Sequence, residues 1–220
     1  MKNNSNSLGT IISGFQRPEL IIIGSRPGQG KTWLALTVAK YMACKNKFTA
    51  FISLEMSKDA LFERFYKINE TSGPAFIPYP QFIVLDNPQM TFSVLEQNIR
   101  DLCHDKDIQA VFIDYLGLIS VNDNSLTGRK KEHAILITKL KALAEDLNLP
   151  VVVTLQIPRD KEASMETISN VIPSAEAIQC IDRLFLIKEA ETQKKTIEVY
   201  KRSQNNDWSN EEVQWTLPTV

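Results

Sequence analysis

The chain has 220 residues, 43% of them hydrophobic, which predicts a single domain with one sizeable core. Because 25 Lys and Arg residues are balanced by 26 Asp and Glu residues, the formal net charge of -1 excludes a broadly basic, nucleic-acid-binding surface. Three dispersed cysteines exclude a C-x-x-C motif, and no apolar run reaches the roughly 18 residues of a membrane helix. These features predict a cytoplasmic protein with no membrane contact.

Strand-like apolar segments alternate with helical segments along most of the chain. The predicted strands are nearly continuous apolar runs, as expected of parallel strands covered on both faces, and comprise residues 20–23, 49–54, 82–85, 110–113 and 151–155. Periodicity and capping residues predict helices over 31–44, from 57 to about 68, from 91 onwards, and over 132–148.

The C-terminal part of the chain has a different pattern. Its predicted strands, 183–187, 196–201 and 211–217, are joined by polar turns and suit an antiparallel sheet edge. The fold class is therefore α/β, with a mainly parallel sheet, helices on both faces and a short antiparallel C-terminal extension. We expect residues 1–12 to form a flexible leader and residues 13–220 to form the domain.

A phosphate-binding loop follows the first predicted strand and leads into the first helix. It comprises Ser25, Arg26, Pro27, Gly28, Gln29, Gly30, Lys31 and Thr32. In such a loop, glycines let backbone N–H groups converge on phosphates, the lysine reaches the β- and γ-phosphates, and the threonine hydroxyl binds Mg²⁺. The G-x-x-x-x-G-K-T pattern has Ser25 at its first position, with Gly24 one place earlier. The sequence predicts ATP and Mg²⁺ as cofactors.

Three further polar residues end predicted strands. Asp114 follows an apolar run, where a carboxylate can hold Mg²⁺ together with the loop threonine. Glu55 is a candidate general base, and its alternative is a helix-capping or surface glutamate. Gln156 has an amide that can hydrogen-bond both a γ-phosphate and a following loop, which predicts a sensor.

Several segments together resemble the C-terminal motor domain of the bacterial DnaB-type replicative helicases. They are the loop 25–32, Ser-Leu-Glu-Met at 53–56, Ile-Asp-Tyr-Leu at 113–116, and the pair 140–144 and 148–152. The resemblance covers residues 14–215 and implies a RecA-like P-loop NTPase that moves along single-stranded DNA. It further implies a hexameric ring with ATP between adjacent subunits, and contacts with other replication proteins.

The resemblance also implies roles for particular residues. It assigns water activation to Glu55, and it assigns a finger that reaches the neighbouring subunit's γ-phosphate to Lys201 or Arg202. The alternative for the two cations is a solvated sheet edge. The candidate DNA contacts are basic residues of a channel-facing loop and of the segment after Gln156. They are Arg129, Lys130, Lys131, Arg159 and Lys161. Charge runs of this kind are also common on solvated faces.

Three departures from the family pattern leave other functions open. We expect the family's N-terminal collar domain to be absent, the segment between Met56 and Gln81 is shorter, and residues 169–176 lack the family's Arg-Glu-Ser-Gly run. The alternatives are a RecA-like ATPase that acts as a regulator, and a nucleotide-binding module that joins a ring without turnover. His104 and His133 are predicted to lie on the surface, and the tryptophans are predicted to pack in the core.

Overall fold

One eight-stranded sheet organises the part of the chain that the computed structural model describes, which is residues 15–70, 80–88, 90–121, 128–188, 194–203, 205 and 207–216. The helices are α1 Lys31–Ala43, α2 Lys58–Glu70, α3 Phe92–Asp105, α4 Arg129–Leu147, α5 Met165–Val171 and α6 Ala175–Gln179. The strands are β1 Leu20–Ser25, β2 Phe48–Ser53, β3 Phe82–Asp86, β4 Met90–Thr91, β5 Ile108–Asp114, β6 Ile119–Ser120, β7 Val151–Gln156, β8 Arg183–Lys188, β9 Lys194–Arg202 and β10 Trp208–Thr216.

The strand order of the main sheet is β10-β9-β8-β1-β7-β5-β2-β3. Neighbouring strands from β8 to β3 pair in parallel, whereas β9 pairs antiparallel with both β8 and β10. This arrangement confirms the predicted fold class. All six parallel strands end at the same side of the sheet, called here the carboxyl edge, and begin at the opposite side, the amino edge. Ligands of open α/β sheets bind at the carboxyl edge.

Two apolar layers cover the sheet and hold its strands in register. On one face, side chains of β1 and β5 such as Ile21 and Phe112 pack with α1 and α2. On the other face, Ile22 and Val111 pack with α3, α4 and the short helices that follow β7. Since β1, β5 and β7 are covered on both faces, their sequences are apolar throughout rather than alternating.

Local sequence signals set the helix starts. The Thr91 hydroxyl accepts a hydrogen bond from the Val94 N–H at 3.4 Å, and the Ser57 hydroxyl accepts one from the Ala60 N–H at 3.4 Å. Each satisfies an N–H group that the first helical turn leaves without a backbone partner. Both predicted caps are confirmed.

Some sequence predictions were wrong or incomplete. Arg129, Lys130 and Lys131 do not lie in a loop but form the first turn of α4. His133 is only partly exposed, and its Nδ1 atom is buried. Helices α5 and α6 and the two-stranded β4–β6 pair were not predicted. The predicted leader, residues 1–12, lies outside the described residues.

Ion pairs close the amino edge of the sheet. Glu19 and Arg183 form a pair at 3.1 Å in which both side chains are almost fully buried. Lys141 donates to Asp182 at 2.7 Å, and the same Asp182 oxygen accepts from the Leu20 N–H at 2.7 Å. These contacts link the start of β1, the start of β8 and α4. The charges of these two pairs are therefore balanced within the chain.

Candidate nucleotide-binding site

The loop between β1 and α1 has the backbone that a phosphate site requires. Gly28 has φ of +76° and Gly30 has φ of +102°, values at which a side chain would be strained. Gly30 precedes α1, and no side chain caps the helix N-terminus. Since a helix leaves its first N–H groups without backbone partners, they are available to an anion there. The hydroxyl of the fully buried Ser25 donates to the Arg26 carbonyl at 3.0 Å.

Asp114 is the most buried charged group near this loop. It ends β5 with no solvent exposure, and it accepts hydrogen bonds from Thr32 Oγ1 at 2.6 Å and from Thr154 Oγ1. A buried carboxylate requires such partners because its desolvation is costly. A hydroxyl and a carboxylate side by side are also the oxygen ligands that Mg²⁺ prefers, so Thr32 and Asp114 fit a magnesium site.

The loop lysine lies between two carboxylates. Lys31 Nζ lies 3.3 Å from Glu55 Oε2 and 3.6 Å from Asp114 Oδ1, and it stands 4.9 Å from the centre of the Tyr115 ring. The Glu55 side chain is half-exposed, whereas Asp114 is inaccessible. Three residues predicted separately therefore meet at the carboxyl edge: Glu55 after β2, Asp114 at the end of β5, and Lys31 in the loop.

Lys31 and Glu55 border an open cavity of about 250 Å³, which is lined by Gly28, Gly30, Lys31, Thr32, Trp33, Glu55, Met56 and Arg64. The sequence motifs do not predict Arg64 as a residue of the site. It lies on α2, where its guanidinium stacks over the Trp33 ring at 5.7 Å from the ring centre. Because Glu55 and Asp114 already balance Lys31, Arg64 supplies the additional positive charge that an anionic ligand needs.

Gln156 lines a different cavity at the same edge. It ends β7 beside Ser25, and its cavity of about 160 Å³ also includes Tyr115, Arg129 and His133. Burial lowers the pKa of His133 below its ordinary value of 6.5, which favours the neutral ring. The candidate sensor Gln156 and the candidate DNA contact Arg129 therefore share a cavity with Tyr115, which directly follows Asp114.

The two finger candidates lie far from this chain's own phosphate loop. In the strand register, Lys201 on β9 lies opposite Arg183 at the start of β8. Lys201 and the next residue, Arg202, are therefore at the amino edge. The Arg202 guanidinium donates to the carbonyls of Ile181 at 3.0 Å and Ile178 at 2.5 Å, and it stacks on Trp208. The Lys201 side chain is exposed.

The remaining predicted residues are spread around the carboxyl edge. Lys130, Lys131, Arg159 and Lys161 are exposed. Arg26 lines a cavity of about 200 Å³ with Glu162, Ala163, Ile187 and Lys188, on the side of the loop that faces β8. Pro27 and Gln29 complete the loop and are half-buried. The structure thus gathers Lys31, Thr32, Glu55 and Asp114 but does not bring the basic residues into their cavity.

The fold and this arrangement define a P-loop NTPase domain of the RecA type. A family model matches the chain over residues 1–72 and 76–211. The chain belongs to the DnaB-like helicase C-terminal domain family, as the sequence motifs predicted. It is 35% identical over 214 residues to the replicative DNA helicase DnaB of Treponema pallidum, and 32% identical over 176 residues to that of Geobacillus stearothermophilus. These alignments cover 85% and 70% of this chain, but 48% and 39% of the relatives, so the chain spans half of their length or less.

Solved structures have the same fold. One of them, an ATPase domain, superimposes with a TM-score of 0.71 at 18% identity, covering 90% of this chain and 81% of that one. A DnaB-like replicative helicase, studied for its interactions with primase, gives a TM-score of 0.73 at 19% identity over 92% of this chain and 57% of that one. Within the described residues, no helix is long and apolar enough to cross a membrane.

Proposed function

We propose that this chain is the ATP-hydrolysing motor of a DnaB-type DNA helicase or translocase, acting in DNA replication in the cytoplasm. The observation that supports this most directly is the contact of Thr32 with Asp114, with Lys31 held between Asp114 and Glu55. Membership of the DnaB-like family supports the same function. ATP is the proposed ligand because the loop, the helix N-terminus and Arg64 together favour a polyanion.

Each residue of the site has a distinct proposed role. Lys31 and the loop N–H groups bind the β- and γ-phosphates, and Arg64 faces the γ-phosphate end of the cavity. Thr32 and Asp114 hold Mg²⁺, which neutralises charge on the phosphate oxygens when bound. Glu55 accepts a proton from the attacking water, because it is the accessible carboxylate of the cavity. Gln156 senses the γ-phosphate from the adjoining cavity.

The last part of the proposed site comes from a neighbouring subunit, in a homo-oligomeric ring that we propose to be a hexamer. A finger cation stabilises negative charge that develops during phosphoryl transfer, and it acts only across an assembled interface. Of the two candidates, Lys201 is the better finger because it is exposed, whereas Arg202 is held by two carbonyls of its own chain. Arg202 then positions the end of β9.

Single-stranded DNA is the proposed track. Arg129 shares a cavity with Gln156, so a phosphate of DNA bound by Arg129 would lie near the proposed sensor. Lys130 and Lys131 extend the positive charge along the first turn of α4, and Arg159 and Lys161 add to it after β7. This proximity supports coupling between DNA binding and hydrolysis.

One observation favours the alternative of a RecA-like ATPase that is not a helicase and acts as a regulator or partner-binding module. Residues 169–176, which lack the family's Arg-Glu-Ser-Gly run, include the end of α5 and the start of α6. Val171 and Ile172 are buried there against the core, whereas the exposed residues are Ser169, Asn170, Pro173, Ala175 and Glu176. None of the exposed side chains is basic, so this segment offers no cation to the phosphates of DNA.

ATP hydrolysis by the purified chain, with and without single-stranded DNA and over a wide range of protein concentration, distinguishes these functions. A motor should show turnover that rises with concentration and with DNA, and that is lost in Lys31→Ala and strongly reduced in Lys201→Ala. Turnover that does not respond to DNA would favour the regulator. Nucleotide binding without turnover at any concentration would favour the interaction module.

A further inference from the structure

A buried lysine approaches the phosphate loop from the C-terminal strands. Lys195, on β9, is only 8% exposed, and its Nζ donates to the side chain of Gln29 at 2.7 Å. It lies on the same face of β9 as the buried Ile197 and Val199, since side chains alternate along a strand. The sequence motifs gave no indication of this contact, because more than 160 residues separate its two partners.

Among the described residues, this ammonium group has one hydrogen-bond partner, the Gln29 side chain. A lysine ammonium offers three N–H donors, and the Gln29 amide oxygen takes one of them. No described carboxylate forms an ion pair with Lys195, in contrast to Lys141 and Lys188, which pair with Asp182 and Glu198. Burying a charge without a counter-charge is costly unless a ligand supplies one. The arrangement therefore indicates an anionic ligand beside Gln29.

The sheet order defines which part of that ligand Lys195 would meet. Strands β2 and β5, which position Glu55 and Asp114, lie on one side of β1, and β9 lies on the other. The γ-phosphate faces Glu55 and Asp114 in the proposed function. The opposite side of the loop, where Gln29 meets Lys195, therefore faces the phosphates nearer the nucleoside.

We propose that Lys195 is a nucleotide-binding residue that contacts the α- and β-phosphates from the C-terminal strands, with Gln29 fixing the position of its amine. This inference rests on the proposed nucleotide binding and adds a second lysine to the site, from β9 rather than from the loop. ATP and ADP share these phosphates, so Lys195 contributes equally to the binding of both. The contact also connects nucleotide binding to the strand that carries Lys201.

Calorimetric titration of ATP and ADP, each with Mg²⁺, into Lys195→Met tests the proposal. Methionine has nearly the same length without the charge. We expect both affinities to fall by a similar factor of about tenfold, as for the loss of one charge-assisted hydrogen bond. The melting temperature should stay the same or rise, because the buried charge that is removed has no carboxylate partner among the described residues. A merely structural lysine would lower the melting temperature and leave both affinities unchanged.

Three further variants make the outcomes distinguishable. Lys45→Met removes an exposed lysine, so it should retain both affinities. Gln29→Ala should weaken binding less than Lys195→Met does, and an equal loss would mean that Lys195 acts only through Gln29, overturning the proposal. Unchanged affinities in Lys195→Met, or a loss of affinity for ATP alone, would also overturn it.

Should the Lys195→Met variant fail to fold, Lys195→Gln is expected to change both affinities in the same way. By contrast, equal affinities in Lys31→Ala and the native chain would refute the proposed nucleotide site itself.

Discussion

The two edges of the sheet use the same types of charged side chain in opposite ways. At the amino edge, Glu19 pairs with Arg183 and Lys141 with Asp182, and each pair connects separate parts of the chain. At the carboxyl edge, Lys31, Glu55 and Arg64 line an open cavity. Removal of one partner of a buried ion pair leaves the other charge buried and unpaired, whereas charges around a cavity are available to a ligand. Substitutions in these amino-edge ion pairs should therefore change unfolding, whereas substitutions around the carboxyl-edge cavity should change nucleotide chemistry.

The largest effect is expected at the carboxyl edge, in Glu55→Gln. The amide keeps the size of the side chain but cannot accept the proton of the attacking water, so hydrolysis should fall by about 10²- to 10⁴-fold. ATP binding should remain, since Lys31, Thr32 and the loop are intact. Single-turnover hydrolysis and calorimetry measure the two quantities. Glu63→Gln, an exposed position on α2, is the control and should retain activity. Full activity in Glu55→Gln would exclude its role as base.

The corresponding change at the amino edge is Glu19→Gln. It leaves the Arg183 charge buried without its carboxylate, and the free energy of unfolding should fall by about 3 kcal/mol or more. Chemical denaturation measures this loss, and ATP affinity should be unchanged. Replacing both partners, as in Glu19→Leu with Arg183→Met, should recover part of the stability. Asp105→Asn is an exposed control. A large loss of ATP affinity in a folded Glu19→Gln chain would contradict the division between the edges.

Arg64→Ala refines the description of the carboxyl edge. If Arg64 faces the γ-phosphate, ATP affinity should fall about tenfold while ADP affinity changes little. The ratio of the two affinities, measured by calorimetry, separates this role from loss of packing against Trp33. Lys67→Ala removes a cation from the same helix outside the cavity and should keep the ratio. Equal losses for ATP and ADP would place Arg64 at another part of the nucleotide.

The smallest effect concerns pH and His133. Burial lowers its pKa in the folded chain below the unfolded value of about 6.5, so the unfolded chain binds more protons below that pH. Its contribution to stability is therefore present above pH 6.5 and is lost as pH falls, by at most about 1.4 kcal/mol per pH unit. His133→Gln should make unfolding less pH-dependent between pH 7 and 5.5. An unchanged slope in His133→Gln would contradict the assignment.

The parts of the site that sequence predicts are those whose chemistry needs a fixed local spacing. Lys31 and Thr32 must follow Gly30 because the loop and the first turn of α1 form one continuous segment of the proposed anion site. Asp114 was predictable because a carboxylate that directly follows a buried strand emerges at the carboxyl edge. The parallel sheet was predictable for a similar reason, since its strands are apolar on both faces.

Residues whose environment depends on tertiary packing were not predictable. Arg64 and His133 look like ordinary helical surface residues until the packing of α2 and α4 shows what they face. Helices α5 and α6 are too short to have a clear period. Their capping serines were a usable signal, since Ser164 and Ser174 accept hydrogen bonds from the N–H groups three residues later.

The most direct test of the contrast between the two edges is calorimetric titration of Mg²⁺ and ATP into the native chain and into Lys31→Ala. Lys31 lies between the two carboxylates of the cavity and has no contact with the amino edge. We expect saturable binding of one ATP per native chain, and an ATP affinity at least about 100-fold weaker in a Lys31→Ala variant that remains folded. Equal affinity in the two proteins, or no saturable binding by the native chain, would contradict it.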